Sequence, residues 1–305
     1  MEYIGIDISK RSFDVATSSK MYKFENILKG FKSFLSLCKK LGEIHCICES
    51  TGGYEFELAL FLAKNEIKIS VVNPKVIKNF FRCIGANAKT DTLDAKGLRL
   101  FCEKMNDRLK VWKAPGASSI RLRKCYRRRD DLLDMITQER NRLSVENDKF
   151  LVRQINKNID FMREQIDRLE IEMKKISEGD EEIRKIYEMV TNIEGCGKVA
   201  ALGIIALMPE IGTFTRGEIA AIVGVAPFNN DSGTKQGPRA IRGGRKHLRR
   251  KLYLPTMWAM KRNPHIKAFA DRLFASGKPF KKVVIASMRK LLIHINAEAK
   301  KLAWQ

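Results

Sequence analysis

YIGIDISKRSFDVATSSKMYKFEN, residues 3–26, holds three short runs rich in β-branched and aromatic residues, separated by polar links of only a few residues. Links that short turn the chain straight back, so the spacing predicts three strands in an antiparallel meander. Working outward, FKSFLSLCKKLG (31–42) repeats as a helix and IHCICES (44–50) reads as a strand buried on both faces. YEFELALFLAKN (54–65) then reads as a second helix and IKISVVN (67–73) as a last strand. Strands joined through helices run parallel, so the order is an antiparallel meander extended by two parallel strands.

That order is the one of an α/β RNase H-like domain, which the resemblance described below makes RuvC-like, expected over residues 1–113 and closed by Ala114-Pro115-Gly116. Residues 114–190 are charged, with apolar side chains at helical steps. From Ile155 through Ile159, Met162, Ile166, Leu169 and Met173 to Ile176 the steps alternate between four and three, which is a heptad seam. A helical hairpin or a dimerising coiled-coil arm fits this stretch, and so does a plain amphipathic helix packed on its own domain. Residues 191–305 form a mostly α C-terminal domain. It opens with NIEGCGKVAALGIIALMP (192–209), a Gly-x-Gly turn between helices that resembles a helix-hairpin-helix, whose N–H groups suit a phosphate. A tight turn between packed helices explains the same residues.

The 305 residues carry 58 Lys and Arg against 35 Asp and Glu, a formal charge of +23, with 44% hydrophobic residues. That apolar content excludes disordered and collagen-like chains and suffices for two or three domains. No run of eighteen apolar residues occurs, and Asp7 and Lys10 stand where an export signal would be apolar. The expectation is a soluble cytoplasmic protein with no membrane partner. Seven cysteines, in no C-x-x-C pair, read as buried free thiols in a reducing compartment.

The charge is concentrated. From Ser232 onward there are nineteen Lys or Arg and two acids, and residues 232–270 hold eleven basic residues and no acid. A solvated helix face mixes both signs, so this segment points to a polyanion, and nucleic acid is the commonest one. Lys235, Arg239, Arg242, Arg245, Lys246, Arg249 and Arg250 are the candidate phosphate contacts.

Four acids lie in the balanced first half. Asp7, between Ile6 and Ile8 in a strand, faces away from both, and Glu49 ends the apolar run of a central strand. In NAKTDTLDAKGLRLF (87–101) Thr90 can cap a helix on which Asp91 and Asp94, three residues apart, share a face. Like charges so placed repel unless a cation lies between them. Together the four suit a pair of Mg²⁺ ions, with Mn²⁺ as a substitute, clamping the attacking and leaving oxygens of a phosphodiester.

Ser232 sits in a loop dense in Asn, Asp, Ser and Gly, beside Gly233. As a turn residue it needs no function. With Lys235, Arg239, Arg242 and Arg245 close behind to neutralise a pentavalent phosphorane, it is the candidate nucleophile.

GIDISK (5–10), ESTGGYE (49–55), VVNPKVIKNF (71–80), AKTDTLDAKGL (88–98), VGVAPFNNDSGT (223–234) and GGRKHLRRKLY (243–253) together resemble the insertion-sequence 110 family of transposases. These are the DEDD or Piv-like recombinases, and the resemblance runs from Tyr3 to about residue 297. It implies that Asp7, Glu49, Asp91 and Asp94 bind the metal and that Ser232 forms a covalent phosphoserine link to DNA. It further implies donor and target DNA as partners, a structured noncoding guide RNA, a homo-oligomer of two or four chains, and a bacterial or archaeal host whose nucleoid is the site of action.

Three other readings compete. In a RuvC-like endonuclease water attacks the DNA and Ser232 is structural. A sugar-kinase or actin-like ATPase would share IGIDIS and STGG, but needs a second copy of the fold, which the sequence lacks. An architectural nucleic-acid binder accounts for the charge and leaves the acids unexplained.

Overall fold

The computed structural model describes residues 1–85, 91–229, 237 and 239–302, without the side chains of residues 91–93. It divides into two compact units, Met1–Ala114 and Pro115–Gln305.

The first unit is a mixed α/β layer. β1 (Glu2–Ile8), β2 (Ser12–Ala16) and β3 (Met21–Glu25) are followed by α1 (Leu28–Leu41), β4 (Ile44–Glu49), α2 (Phe56–Lys64), β5 (Lys68–Val72), α3 (Pro74–Cys83) and α4 (Asp91–Met105). The sheet order is β3-β2-β1-β4-β5. β2 runs antiparallel to β1 and β3, whereas β4 is parallel to β1 and β5. The expected meander and its parallel extension are both present. Alternation explains the layering: Ile4, Ile6, Phe13, Val15, Cys46 and Cys48 enter one core with α1 and α2. On the opposite face Ile47 joins Ile77 of α3 and Leu98, Phe101 and Cys102 of α4.

Local chemistry fixes the helix starts. Asn73 caps α3 by accepting from the Lys75 N–H, with Pro74 in the first turn, where its missing donor does no harm. His45, buried on the α4 face, ties the layers together: Nδ1 is 2.8 Å from Asn106 Oδ1 and Nε2 2.9 Å from Ser70 Oγ. Ser70 Oγ in turn donates to the Lys110 carbonyl.

The second unit is mostly helical. α5 (Ala117–Leu143) and α6 (Lys149–Gly179) form an antiparallel hairpin, with Asp148 capping α6 through the Phe150 and Leu151 N–H groups. The heptad seam of α6 is used within the chain: Ile159, Met162 and Ile166 pack on Leu132 and Ile136, and Met173 on Leu122 and Tyr126. α7 (Glu181–Thr191), α8 (Lys198–Leu207) and α9 (Arg216–Val223) lead to two short paired strands, β6 (Pro227–Phe228) and β7 (Ala240–Ile241). α10 (Lys246–Arg262), α11 (Pro264–Ala275) and α12 (Phe280–Leu302) complete the unit around a second core. In the Gly-x-Gly turn, Gly195 has φ +99° and lies against α10, where an added Cβ would come within 2.5 Å of the Ala259 nitrogen. Packing on α10 thus accounts for that glycine.

Among the described residues no helix is long and apolar enough to cross a membrane.

Candidate active site

Strand alternation brings Tyr3, Gly5 and Asp7 to the α4 side of β1, and His45, Ile47 and Glu49 to the same side of β4. The pairs Gly5↔Ile47 and Ile6↔Cys48 set Asp7 level with Glu49 at the carboxyl ends of adjacent parallel strands. Neighbouring strands lie about 4.8 Å apart. Both acids are half-buried.

α4 crosses this face antiparallel to β1. Its Cys102 thiol reaches the His45 carbonyl at 3.7 Å, near the amino ends of the strands. Further along, the Ala95 carbonyl and Arg99 nitrogen lie over Gly5, where an added Cβ would come within 2.0 and 2.4 Å of them. The amino end of α4 therefore points toward the carboxyl ends of β1 and β4. Asp94, half-buried, stands next to Ala95, and Asp91 opens the helix one turn earlier. The Asp91 side chain and Thr90 lie outside the described residues.

The donor set is all carboxylate oxygen, the chemistry of a hard divalent cation. Carboxylates brought level on neighbouring strands repel, and a cation relieves that repulsion. Among the described residues no three His, Cys, Asp or Glu side chains assemble as a metal-holding group. The fit therefore rests on donor type and strand register, with Asp91 beyond what is described.

Ser232 and Lys235 belong to the connection between β6 and β7 and also lie outside the described residues. The base of that connection is well defined. β6 pairs with β7 through Phe228↔Ala240, and the Arg242 guanidinium stacks 4.7 Å from the centre of the Phe228 ring. Below, Gly224 (φ +78°) meets Gly243 and Gly244 (both φ +69°) so closely that a Cβ on Gly244 would come within 2.3 Å of the Gly224 nitrogen. Arg249 Nη1 locks this crossing by donating to the carbonyls of Val223, Gly224 and Gly243 at 3.1, 3.1 and 2.9 Å.

The basic candidates thus separate. Arg245 pairs with Glu210 through both terminal nitrogens and donates to the Leu207 carbonyl at 3.0 Å, so it and Arg249 hold the fold together. Arg242, Lys246 and Arg250 are exposed, Arg250 with Asp134 only at 3.5 Å. Arg239, also exposed, donates to the Gly237 carbonyl at 3.3 Å.

Residues 4–145 match the IS110 DEDD model, described as a transposase, and residues 187–271 match the model of the transposase IS116/IS110/IS902 family. The chain belongs to the IS110 family of transposases. It is an enzyme of the DNA recombinase and transposase class. Its relatives include the pilin gene-inverting proteins of Moraxella lacunata and Moraxella bovis, each 27% identical over 305 residues, covering 95% of this chain and 93% of theirs. An uncharacterized 43.6 kDa protein of insertion element IS110 from Streptomyces coelicolor is 27% identical over 111 residues, 36% of this chain and 27% of its own.

Two features of this IS110-family chain were not singled out from the sequence. Asp14 is the register partner of Asp7 and shares its face, with Lys23 Nζ 3.9 Å away. The signal was available, since SFDVA alternates Phe13 and Val15 into the core and so turns Asp14 to the other side. The second is Asp130 on α5, buried, 2.5 Å from Lys251 Nζ and 2.7 Å from His247 Nε2 of α10. It anchors the basic helix, and nothing in the local sequence marks a contact across more than a hundred residues. Burial, reinforced by the Asp130 charge, pushes the neighbouring Tyr126 hydroxyl above its ordinary pKa.

Proposed function

We propose that this chain cuts and rejoins DNA with two sets of groups: the acids Asp7, Glu49, Asp91 and Asp94, which hold Mg²⁺, and Ser232, the nucleophile. The observation that carries this reading is the close packing of Ala95 and Arg99 over Gly5, with the amino end of α4 at the carboxyl ends of β1 and β4. The strand order supports an RNase H-like identity for the first unit.

When bound, the cation supplies charge neutralisation at the attacked phosphodiester. The rest is transesterification. The Ser232 hydroxyl loses its proton and attacks phosphorus, a phosphoserine bond forms, and the displaced deoxyribose oxygen leaves as a hydroxyl after taking a proton. Attack by a second DNA hydroxyl on the phosphoserine restores the serine and joins the new strands, so bond count and charge balance without water or an external energy source. The exposed Arg242, Lys246 and Arg250 supply the phosphate-gripping surface beside this loop. Inversion of a pilin gene, named for the Moraxella relatives, is the same class of cut-and-rejoin reaction. A structured noncoding RNA selects the donor and target sites, and the enzyme works as a homo-oligomer.

The test is recovery of a protein–DNA adduct that survives detergent, from Mg²⁺ reactions to which total RNA extracted from purified protein is added back. Wild type forms it. Ser232→Ala forms none and does not recombine, while Asp94→Asn binds DNA without cutting. Continued cutting by Ser232→Ala, with water as the nucleophile, overturns the serine assignment in favour of a hydrolytic nuclease.

A further inference from the structure

α10 carries exposed aromatic and aliphatic side chains that the reading above does not use. Tyr253, Leu254 and Trp258 are 42%, 67% and 51% exposed; Leu254 and Trp258 stand one turn apart, and Tyr253 lies about 100° round the helix from Leu254. Single exposed apolar residues are ordinary, whereas several large ones grouped on the exposed side of one helix mark a binding surface. The group is set in positive charge. Lys246 and Arg250 precede it and Lys261 and Arg262 follow it, with Lys261 Nζ 5.7 Å and Arg262 Cζ 5.2 Å from the centre of the Trp258 ring. Ile285 and Met288 of α12 complete a groove beside Tyr253 and Leu254.

We propose that the exposed side of α10 binds an unpaired DNA strand, with Tyr253 and Trp258 each stacking on a base and the flanking cations on phosphates. The occupant follows from charge and geometry. Residues 232–270 contain no acid, so the partner is anionic. A second copy seated symmetrically would bring the four flanking cations onto themselves. A paired duplex offers this side phosphates and groove edges, which suit the cations and leave the aromatic faces without a partner. Only bases out of their pairs present a π-face to a protein side chain. Strand exchange by a DNA recombinase exposes such a strand, which favours DNA over RNA as the ligand.

This inference rests on the recombinase class and uses neither Ser232 nor the acids, so it can fail while the cleavage chemistry stands. The full chain is titrated at one salt concentration against a short oligothymidylate, a blunt DNA duplex and an oligouridylate of equal length. Trp258→Ala and Tyr253→Ala should each weaken oligothymidylate binding about tenfold and leave duplex binding within about twofold, since phosphate contacts are kept. Trp258→Phe keeps a stacking face and should retain most of the affinity. Ser232→Ala should show the wild-type preference. Equal losses on duplex and single strand, no loss on the single strand, a loss confined to the oligouridylate, or a Trp258→Phe defect as deep as the alanine's would each overturn the assignment.

Discussion

Asp7 and Asp14 stand directly opposite one another in the antiparallel pair of β1 and β2. With Lys23 opposite Asp14 on β3 and Glu49 level with Asp7 on β4, a row of one cation and three carboxylates crosses the sheet on the face that α4 covers. Opposed like charges on a strand pair are destabilising by roughly 0.2–1 kcal/mol. Lys23, itself exposed, lies 3.9 Å from Asp14 at the outer end of the row.

Removing one charge from the row should therefore stabilise the apo protein while removing function. Asp7→Asn is expected to melt at or slightly above the wild-type temperature without divalent cations and to be inactive in recombination. Added Mg²⁺ should raise the wild-type melting temperature by mass action and leave Asp7→Asn almost unmoved. Thermal unfolding with and without Mg²⁺ decides it, and an equal response of both proteins argues against a cation at Asp7.

Much of this arrangement was legible in the residues themselves. The alternation of IGIDIS turned Asp7 away from Ile6 and Ile8, the short links of residues 3–26 required a meander, and the apolar run of 44–49 required a central strand. These are local rules with a period of two. The heptad seam of α6 was equally plain, but its partner was not, because period and spacing are the same whether the facing helix is α5 or another chain. The roles of Arg245 and Arg249 were illegible for a related reason. Composition counts a guanidinium as a phosphate ligand, and only the backbone crossing at Gly224 and Gly243–Gly244 shows that Arg249 faces inward.

Gly5 controls the approach of α4. An alanine Cβ would come within 2.0 Å of the Ala95 carbonyl oxygen and 2.4 Å of the Arg99 nitrogen, both backbone atoms of a packed helix, so α4 must move outward. Overpacking of this kind costs about 1–3 kcal/mol or more. Gly5→Ala should lower the denaturation midpoint and also abolish strand cleavage, since the helix that moves carries Asp91 and Asp94. A variant that melts early yet cleaves normally at low temperature would show that the acids do not depend on this contact.

The basic residues should separate into two phenotypes. Arg249→Ala leaves three carbonyls at the base of the β6–β7 connection without their donor, and each unsatisfied buried group costs about 1–3 kcal/mol. Its melting temperature should fall clearly, and Arg245→Ala should behave alike through the loss of Glu210. Arg242→Ala together with Lys246→Ala should melt like wild type but bind DNA more weakly across all sequences, with a flatter dependence on salt. Measuring melting and salt-dependent affinity on the same preparations tests both halves, and a reversal of the two phenotypes would refute the division.

The thiols give a prediction in pH. Burial pushes Cys196 up to about 11 and Cys102 up to about 12, and it also raises Cys48, with the Glu55 and Glu49 charges adding to the effect. Cys46 is raised first by its hydrogen bond with Cys38 and then by burial. In each case the folded protein holds the proton more tightly than the unfolded chain, whose thiols titrate near 8.5. Above that pH the unfolded state binds fewer protons than the folded one, so stability falls as pH rises. The contribution is intact below about pH 8 and is lost progressively toward the folded-state values. Denaturant midpoints should accordingly drop between about pH 9 and pH 11. Cys83, the exposed thiol, should be alkylated quickly at neutral pH, while Cys38, Cys46, Cys48, Cys102 and Cys196 react only as the protein unfolds. Counting fast and slow thiols with a chromogenic disulfide reagent checks the assignment, and rapid native modification of Cys102 or Cys196 would show that these sites are open to solvent.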